Sequence, residues 1–194
     1  MTKELKPALL MMIVMTVLTG LLYPAVITGI AQVAFKDQAN GSLITQNGQV
    51  VGSRLIGQNF SKAEYFHPRP SAAGTNGYDP TATGGSNLGP TSDKLISTIK
   101  TRVADYRKEN ALDANTLIPS DAVTASASGI DPHISPRNAE LQAARVAKAR
   151  GATVDQVQTL VNEHTEGRTW GVLGEPRVNV LELNLALDAR FPKK

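Results

Sequence analysis

From Pro7 to Phe35 the chain carries no charged residue, and the run LLMMIVMTVLTGLLYPAVITGIAQVAF within it is rich in Leu, Ile, Val and Met. About 20 apolar residues cross the hydrocarbon core of a bilayer, so this stretch is long enough to span one even when tilted. A cleaved secretory signal is the rival reading, because Lys3 and Lys6 precede the run and Gly29-Ile30-Ala31 ends in small residues. The apolar part of such a signal usually covers only about 7 to 15 residues, which favours a retained helix. The expected organisation is an N-terminal tail at 1–7, a membrane helix at 8–35 and a globular remainder at 36–194.

Within the helix, Thr16, Gly20, Pro24 and Thr28 recur at every fourth residue, and Ala25 with Gly29 forms a second small pair. Small side chains let a second helix backbone approach closely, which is how helices associate where lipid gives no hydrophobic drive. Gly and Pro are also common in membrane helices for their own sake. A packed interface formed by Thr16, Gly20, Tyr23, Pro24 and Thr28 is the preferred reading. Pro24 removes a backbone donor and should bend the helix unless a neighbour supports it. The amino end bears Lys3 and Lys6 against Glu4, whereas Lys36 is followed by Asp37. The positive-inside rule then puts the N-terminus in the cytoplasm and residues 37–194 outside.

The chain has no cysteine, which suits an oxidising compartment without requiring one. Its 20 Lys and Arg stand against 17 Asp and Glu, a small excess that is no footprint for nucleic acid.

The remainder reads as α+β. Asn47-Gly48 joins two strand-like runs, Ser42–Gln46 and Gln49–Ile56, and is the strongest short hairpin signal because both turn residues need positive φ. Gly52 weakens the register of the second strand. Residues 61–90 follow, with four prolines and five glycines and neither helical nor alternating periodicity. Irregular stretches of this length are usually functional or disordered, and Tyr65, Phe66 and Tyr78 argue for order. This is the candidate docking loop, with Tyr65, Phe66, Arg69 and Asn87 as its contact residues. Gly84–Pro90 superficially resembles a phosphate cradle, but the Lys-Ser/Thr ending is missing and Pro90 removes an amide donor. A helix then starts at Thr91 or Ser92 as cap, carries Leu95, Ile99, Val103 and Tyr106 on one stripe, and ends near Asn110.

Residues 124–136, TASASGIDPHISP, gather serines, Asp131 and His133 and raise the question of a hydrolase site. Ser126 and Ser128 lack the strand-turn-helix elbow of a catalytic serine, and groups so close in sequence rarely reach triad geometry. The segment reads instead as a lead-in to a helix over 138–150, with Ser135 as N-cap, Pro136 at the first helical position and Gly151 as the stop. Thr153 and Gln156 form a capping box for a further helix, in which Val157, Leu160, Val161 and His164 share a face. His67, His133 and His164 show no metal-ligand spacing. Leu181, Leu183, Leu185 and Leu187 alternate with polar or small residues, which predicts a C-terminal strand over 178–187. Trp170 is expected to pack close by. The residues alone leave open a membrane-anchored periplasmic hydrolase and a solute-binding or scaffold module.

Five ordered motifs go further: GSRLIGQNF at 52–60, YFHPRPSAAG at 65–74, GGSNLGP at 84–90, TASASGIDPH at 124–133 and VNVLELNLALD at 178–188. Together with Tyr23-Pro24 they resemble the C-subunit family of the Kdp potassium-transporting P-type ATPases. The resemblance implies a bacterial inner-membrane complex in which a channel-like subunit selects potassium and a P-type subunit hydrolyses ATP. It implies for this chain a non-catalytic accessory role in assembly and a raised ATP affinity of the ATPase subunit. ATP and potassium then belong to the complex, and no cofactor is assigned to this chain. With residues 37–194 outside, an effect on cytoplasmic ATP has to pass through the helix or through a stabilised pump conformation.

Overall fold

The structure, a computed structural model, describes residues 2–192 and divides into two compact units, residues 1–53 and 54–194.

The first unit is an apolar helix followed by a hairpin. Helix α1 (Thr2–Met15) starts before the apolar run and carries Pro7 inside it. It passes directly into a π-helical segment (Thr16–Leu22) and then into α2 (Tyr23–Ala34). The π segment answers the proline. Pro24 offers no N–H, and in a regular α-helix its ring would meet the carbonyl of Gly20. The wider turns immediately before it, closed by Tyr23 N–H donating to the Leu18 carbonyl, relieve that crowding. Thr19 Oγ1 donates to the Met15 carbonyl at 2.7 Å, so this hydroxyl is satisfied within the helix. The span Lys3–Ala34 has 32 residues and none of them is buried within the chain. At 1.5 Å per residue that is about 48 Å, more than the roughly 30 Å bilayer core.

A short helix, α3 (Lys36–Ala39), leads to β1 (Leu43–Gln46) and β2 (Gln49–Ser53), an antiparallel pair. Asn47 and Gly48 take φ of 52° and 78°, as the Asn-Gly turn requires. A bulge between Ile44 and Thr45 absorbs one extra residue, and the strand ends at Ser53, short of Ile56.

The second unit is mixed. Its helices are α4 (Asp93–Glu109), α5 (Ser120–Val123), α6 (Pro136–Arg150), α7 (Val154–Glu163) and α8 (Val180–Arg190). A small antiparallel sheet has the order β3 (His133–Ile134), β5 (Arg177–Asn179), β4 (Thr165–Glu166). The local signals act as expected. Ser92 caps α4, Ser135 accepts from Asn138 N–H ahead of Pro136, Gly151 closes α6 at φ 66°, and Thr153 with Gln156 completes the capping box of α7. Helices α6, α7 and α8 surround one core of Phe66, Val146, Val157, Val161, Leu183 and Leu187, joined by Ile134 and Val178 from the sheet.

Two expectations need correction. The strand over 178–187 exists only as Arg177–Asn179, and from Val180 the chain is helical. Its buried positions are Val180, Leu181, Leu183, Asn184 and Leu187, the 0, 1, 3, 4, 7 spacing of one helix face, on which the alternating leucines are superposed. Asn179 accepts from Glu182 N–H and starts the helix, and Leu and Ala extend it readily. Trp170, expected to pack, is 86% exposed at the tip of a turn.

Candidate functional site: a clasped belt, its cleft and an apolar helix

The segment beginning at Ser61 is ordered without secondary structure because other side chains take over its backbone hydrogen bonds. At Phe66, the buried Asn184 amide of α8 accepts from the N–H at 2.9 Å and donates to the C=O at 3.0 Å. At His67, Gln142 of α6 does the same at 2.7 and 3.1 Å. Each amide replaces a neighbouring strand, so an irregular chain crosses the domain with no buried polar group left unpaired at these two residues. Arg145 holds the carbonyls of Ala63 and Tyr65, and Arg150 holds that of Glu64. Arg150 also pairs with Asp188 at 2.7 Å and lies 4.8 Å over the Tyr65 ring, whose hydroxyl donates to Asp188.

A second set of bonds joins this belt to residues 124–133. Ser126 N–H donates to the Pro70 carbonyl, Ser71 Oγ donates to the Gly129 carbonyl at 2.6 Å, and Gly84 N–H donates to the Ser128 carbonyl. Gly57 N–H donates to the Ile130 carbonyl. Three of the motifs that carry the family resemblance, with Gly57 of a fourth, are thus one interlocked unit. The glycines are needed there. A Cβ at Gly129, whose φ is 72°, would sit 2.5 Å from Ala73 Cβ, and one at Gly57 would sit 2.6 Å from the Asp131 carbonyl oxygen.

The belt and α4 enclose a cleft of about 470 Å³ whose lining includes Asn59, His67, Arg69, Tyr78, Arg102 and Glu109. That size falls among small-ligand clefts, but two of its charged side chains are already engaged with carboxylates. Arg69 meets Asp131 at 3.0 Å and His67 Nδ1 meets Glu109 at 3.1 Å. Burial works against ionisation of Asp131, yet bonds from His133 and Arg69 hold its carboxyl below the usual range. The bond to His67 likewise lowers Glu109. Burial raises the Tyr78 hydroxyl, which donates to the Arg69 carbonyl at 2.8 Å.

Ser126 accepts from Gly129 N–H, Ser128 accepts from Ile130 N–H, and Asp131 is turned to Arg69 and to His133 N–H. These groups shape turns. The backbone of Gly84, in the stretch that superficially resembles a phosphate cradle, is likewise committed to Ser128.

The sequence-derived site residues fall into two sets. Tyr65, Phe66 and Arg69 lie in the belt, but Phe66 has no exposed surface and is an inward anchor, while Arg69 faces Asp131. Asn87 is exposed, with φ 52°. Thr16, Gly20, Tyr23, Pro24 and Thr28 are all exposed on the apolar helix of the first unit. Sequence reasoning missed Gln142 and Asn184. The available signal was polar amides at helix positions whose period demands apolar ones.

A family model described as "K+-transporting ATPase, c chain" matches residues 5–189. A potassium-transporting ATPase KdpC subunit of Mycobacterium bovis (strain BCG / Pasteur 1173P2) is 57% identical over 188 residues, covering 97% of this chain and 99% of the relative. KdpC subunits of Koribacter versatilis (56%, 99% and 97%) and Myxococcus xanthus (58%, 92% and 84%) are similarly close. The match runs through the apolar helix, the hairpin and the clasped belt alike, and the chain therefore belongs to the KdpC family, the accessory c chain of the multi-subunit K+-transporting Kdp ATPase.

Proposed function

We propose that the chain is a single-pass, non-catalytic subunit that assembles and stabilises the channel-like and ATP-hydrolysing subunits of a high-affinity potassium uptake complex. Its N-terminus lies in the cytoplasm and its second unit on the outer face of the bacterial inner membrane. The observation that carries the reading is the span Lys3–Ala34, a 32-residue helix with nothing of its own chain covering it. Such a helix is stable only in lipid or against other membrane helices. An influence on ATP affinity is then indirect: by favouring one conformation of the complex, the subunit raises the affinity of that conformation's ligand.

Gly20→Leu tests the assembly part. A Cβ at Gly20 meets nothing closer than 3.9 Å within the chain, so the larger side chain disturbs only what lies outside it. The expected result is loss of this chain from the detergent-purified complex. An undiminished, fully active complex refutes the reading. The orientation is read from Ser86→Cys, an exposed site in a chain without native cysteine. An impermeant maleimide should label it in intact cells, and labelling only after lysis reverses the topology.

A further inference from the structure

We infer that the turn at Thr169–Leu173 is a preformed knob that docks, through Trp170, into an apolar socket on the extramembrane part of another subunit of the complex. This names a contact for the assembly role proposed above and rests on that reading.

Trp170, Val172 and Leu173 are 86%, 70% and 52% exposed, so the turn presents three apolar side chains within four residues. A flexible loop would bury or disperse them, but this one is built to hold them out. Thr169 and Leu173 exchange both backbone hydrogen bonds, at 2.8 and 2.9 Å. Arg168 grips both oxygens of Glu175 at 2.8 and 2.7 Å across the base. Below it, Arg177 pairs with Glu166 at 2.7 Å where β4 and β5 run together. Trp170 itself takes φ 54°, a region a bulky side chain enters only when its surroundings impose it.

A rigid turn that displays an aromatic residue loses little conformational freedom on binding, and Trp is the residue most enriched among interface anchors. The socket should offer aliphatic walls and one acceptor for the indole N–H, which has no partner among the described residues.

The charges discriminate between a protein and a lipid surface. A loop that inserts among anionic headgroups presents free Lys or Arg beside its apolar tip. Here each flanking arginine is neutralised by a glutamate, and Glu175 stands on the same turn. A neutral, rigid, apolar tip fits the water-excluding centre of a protein interface, where charged residues are depleted.

The test uses the full complex in native membranes. A photoreactive p-benzoyl-phenylalanine replaces Trp170 in one preparation and Leu117, equally exposed at 86%, in another. Position 170 should crosslink to one other subunit with a yield about tenfold above position 117. Adducts with lipid alone, with a second copy of this chain, or in equal yield at both positions overturn the inference. A second measurement follows Trp170→Ser, which should speed dissociation of this chain from the detergent-solubilised complex about tenfold while leaving the proteolytic stability of the free chain unchanged. An unaltered dissociation rate also overturns it. If the parent chain does not co-purify with other subunits, the assembly reading fails and the knob with it. If it co-purifies and position 170 captures no subunit, only the knob fails.

Discussion

Asn184→Leu removes the clasp on Phe66 while keeping the same number of side-chain heavy atoms and the branch at Cγ. In the folded chain Asn184 is 1% exposed and Phe66 has no exposed surface, so water cannot replace the two lost bonds. Each buried backbone group left without a partner costs about 1–3 kcal/mol, or roughly 4 kcal/mol for the N–H and C=O together. Leucine returns about 1 kcal/mol through its greater apolar burial. The net loss is about 3 kcal/mol, a large share of the stability of a unit this size. With a urea slope of about 2 kcal/mol per molar, the unfolding midpoint falls by about 1.5 M. Pulse proteolysis of the full chain in detergent micelles reads this midpoint without relying on the apolar helix, which keeps its secondary structure in the micelle. Hydrogen exchange at Phe66 should accelerate in parallel. Asn162→Leu, at an exposed position of α7, is the control and should stay within about 0.5 kcal/mol of the parent. If Asn184→Leu unfolds at the parent midpoint with Phe66 still protected, the belt is held by something other than this amide.

Gly129→Ala forces a Cβ to 2.5 Å from Ala73 Cβ at a left-handed φ. The same midpoint assay should show a loss of about 2–4 kcal/mol, and neutrality would mean that residues 70–74 and 126–130 are not interlocked. Asp131 carries an acid-sensitive contribution. Because its folded pKa is depressed, the stabilisation is complete above the unfolded carboxylate value of about 3.9 and fades as pH falls through the lower folded value. Asp131→Asn should therefore lie below the parent at pH 7, with the gap narrowing as pH falls below about 4, and parallel pH curves would remove this role.

Local devices in this chain were legible because each is written within a few residues. Ser92, Ser135 with Pro136, the Thr153–Gln156 box and the Asn47-Gly48 turn all act where the pattern put them. Helix α8 was misread because two periods coexist in one stretch. Leu181, Leu183 and Leu187 fit alternation, and the inward placement of Val180 and Asn184 is what reveals the helical set. That placement depends on Phe66, 118 positions away, and the Gln142 clasp on His67 spans 75. The order in residues 61–90 follows from their aromatics, but no local feature marks Phe66, a candidate contact residue, as an inward anchor. Irregular backbone can keep an aromatic inside only when distant side chains satisfy its amides, and nothing local announces them. Trp170 failed for the opposite reason, since burial is the common fate of a lone tryptophan and the ion-paired turn that overrides it depends on tertiary pairing.

The widened turns ahead of Pro24 also settle how Thr16, Gly20, Pro24 and Thr28 line up. At 100° per residue, every fourth position of a regular α-helix creeps 40° around the axis, so Thr28 would end about 120° from Thr16. Through Thr16–Leu22 the turn is looser, roughly 4.4 residues, and each residue advances only about 82°. Over the twelve steps the two rates nearly cancel, so Thr28 returns to the line of Thr16 while Gly20 and Pro24 stand roughly 30–45° to one side, and the four positions form one shallowly bowed track. A rod laid along it would run parallel without coiling, and restoring ordinary turns would swing the far end of the track aside by about a third of a revolution.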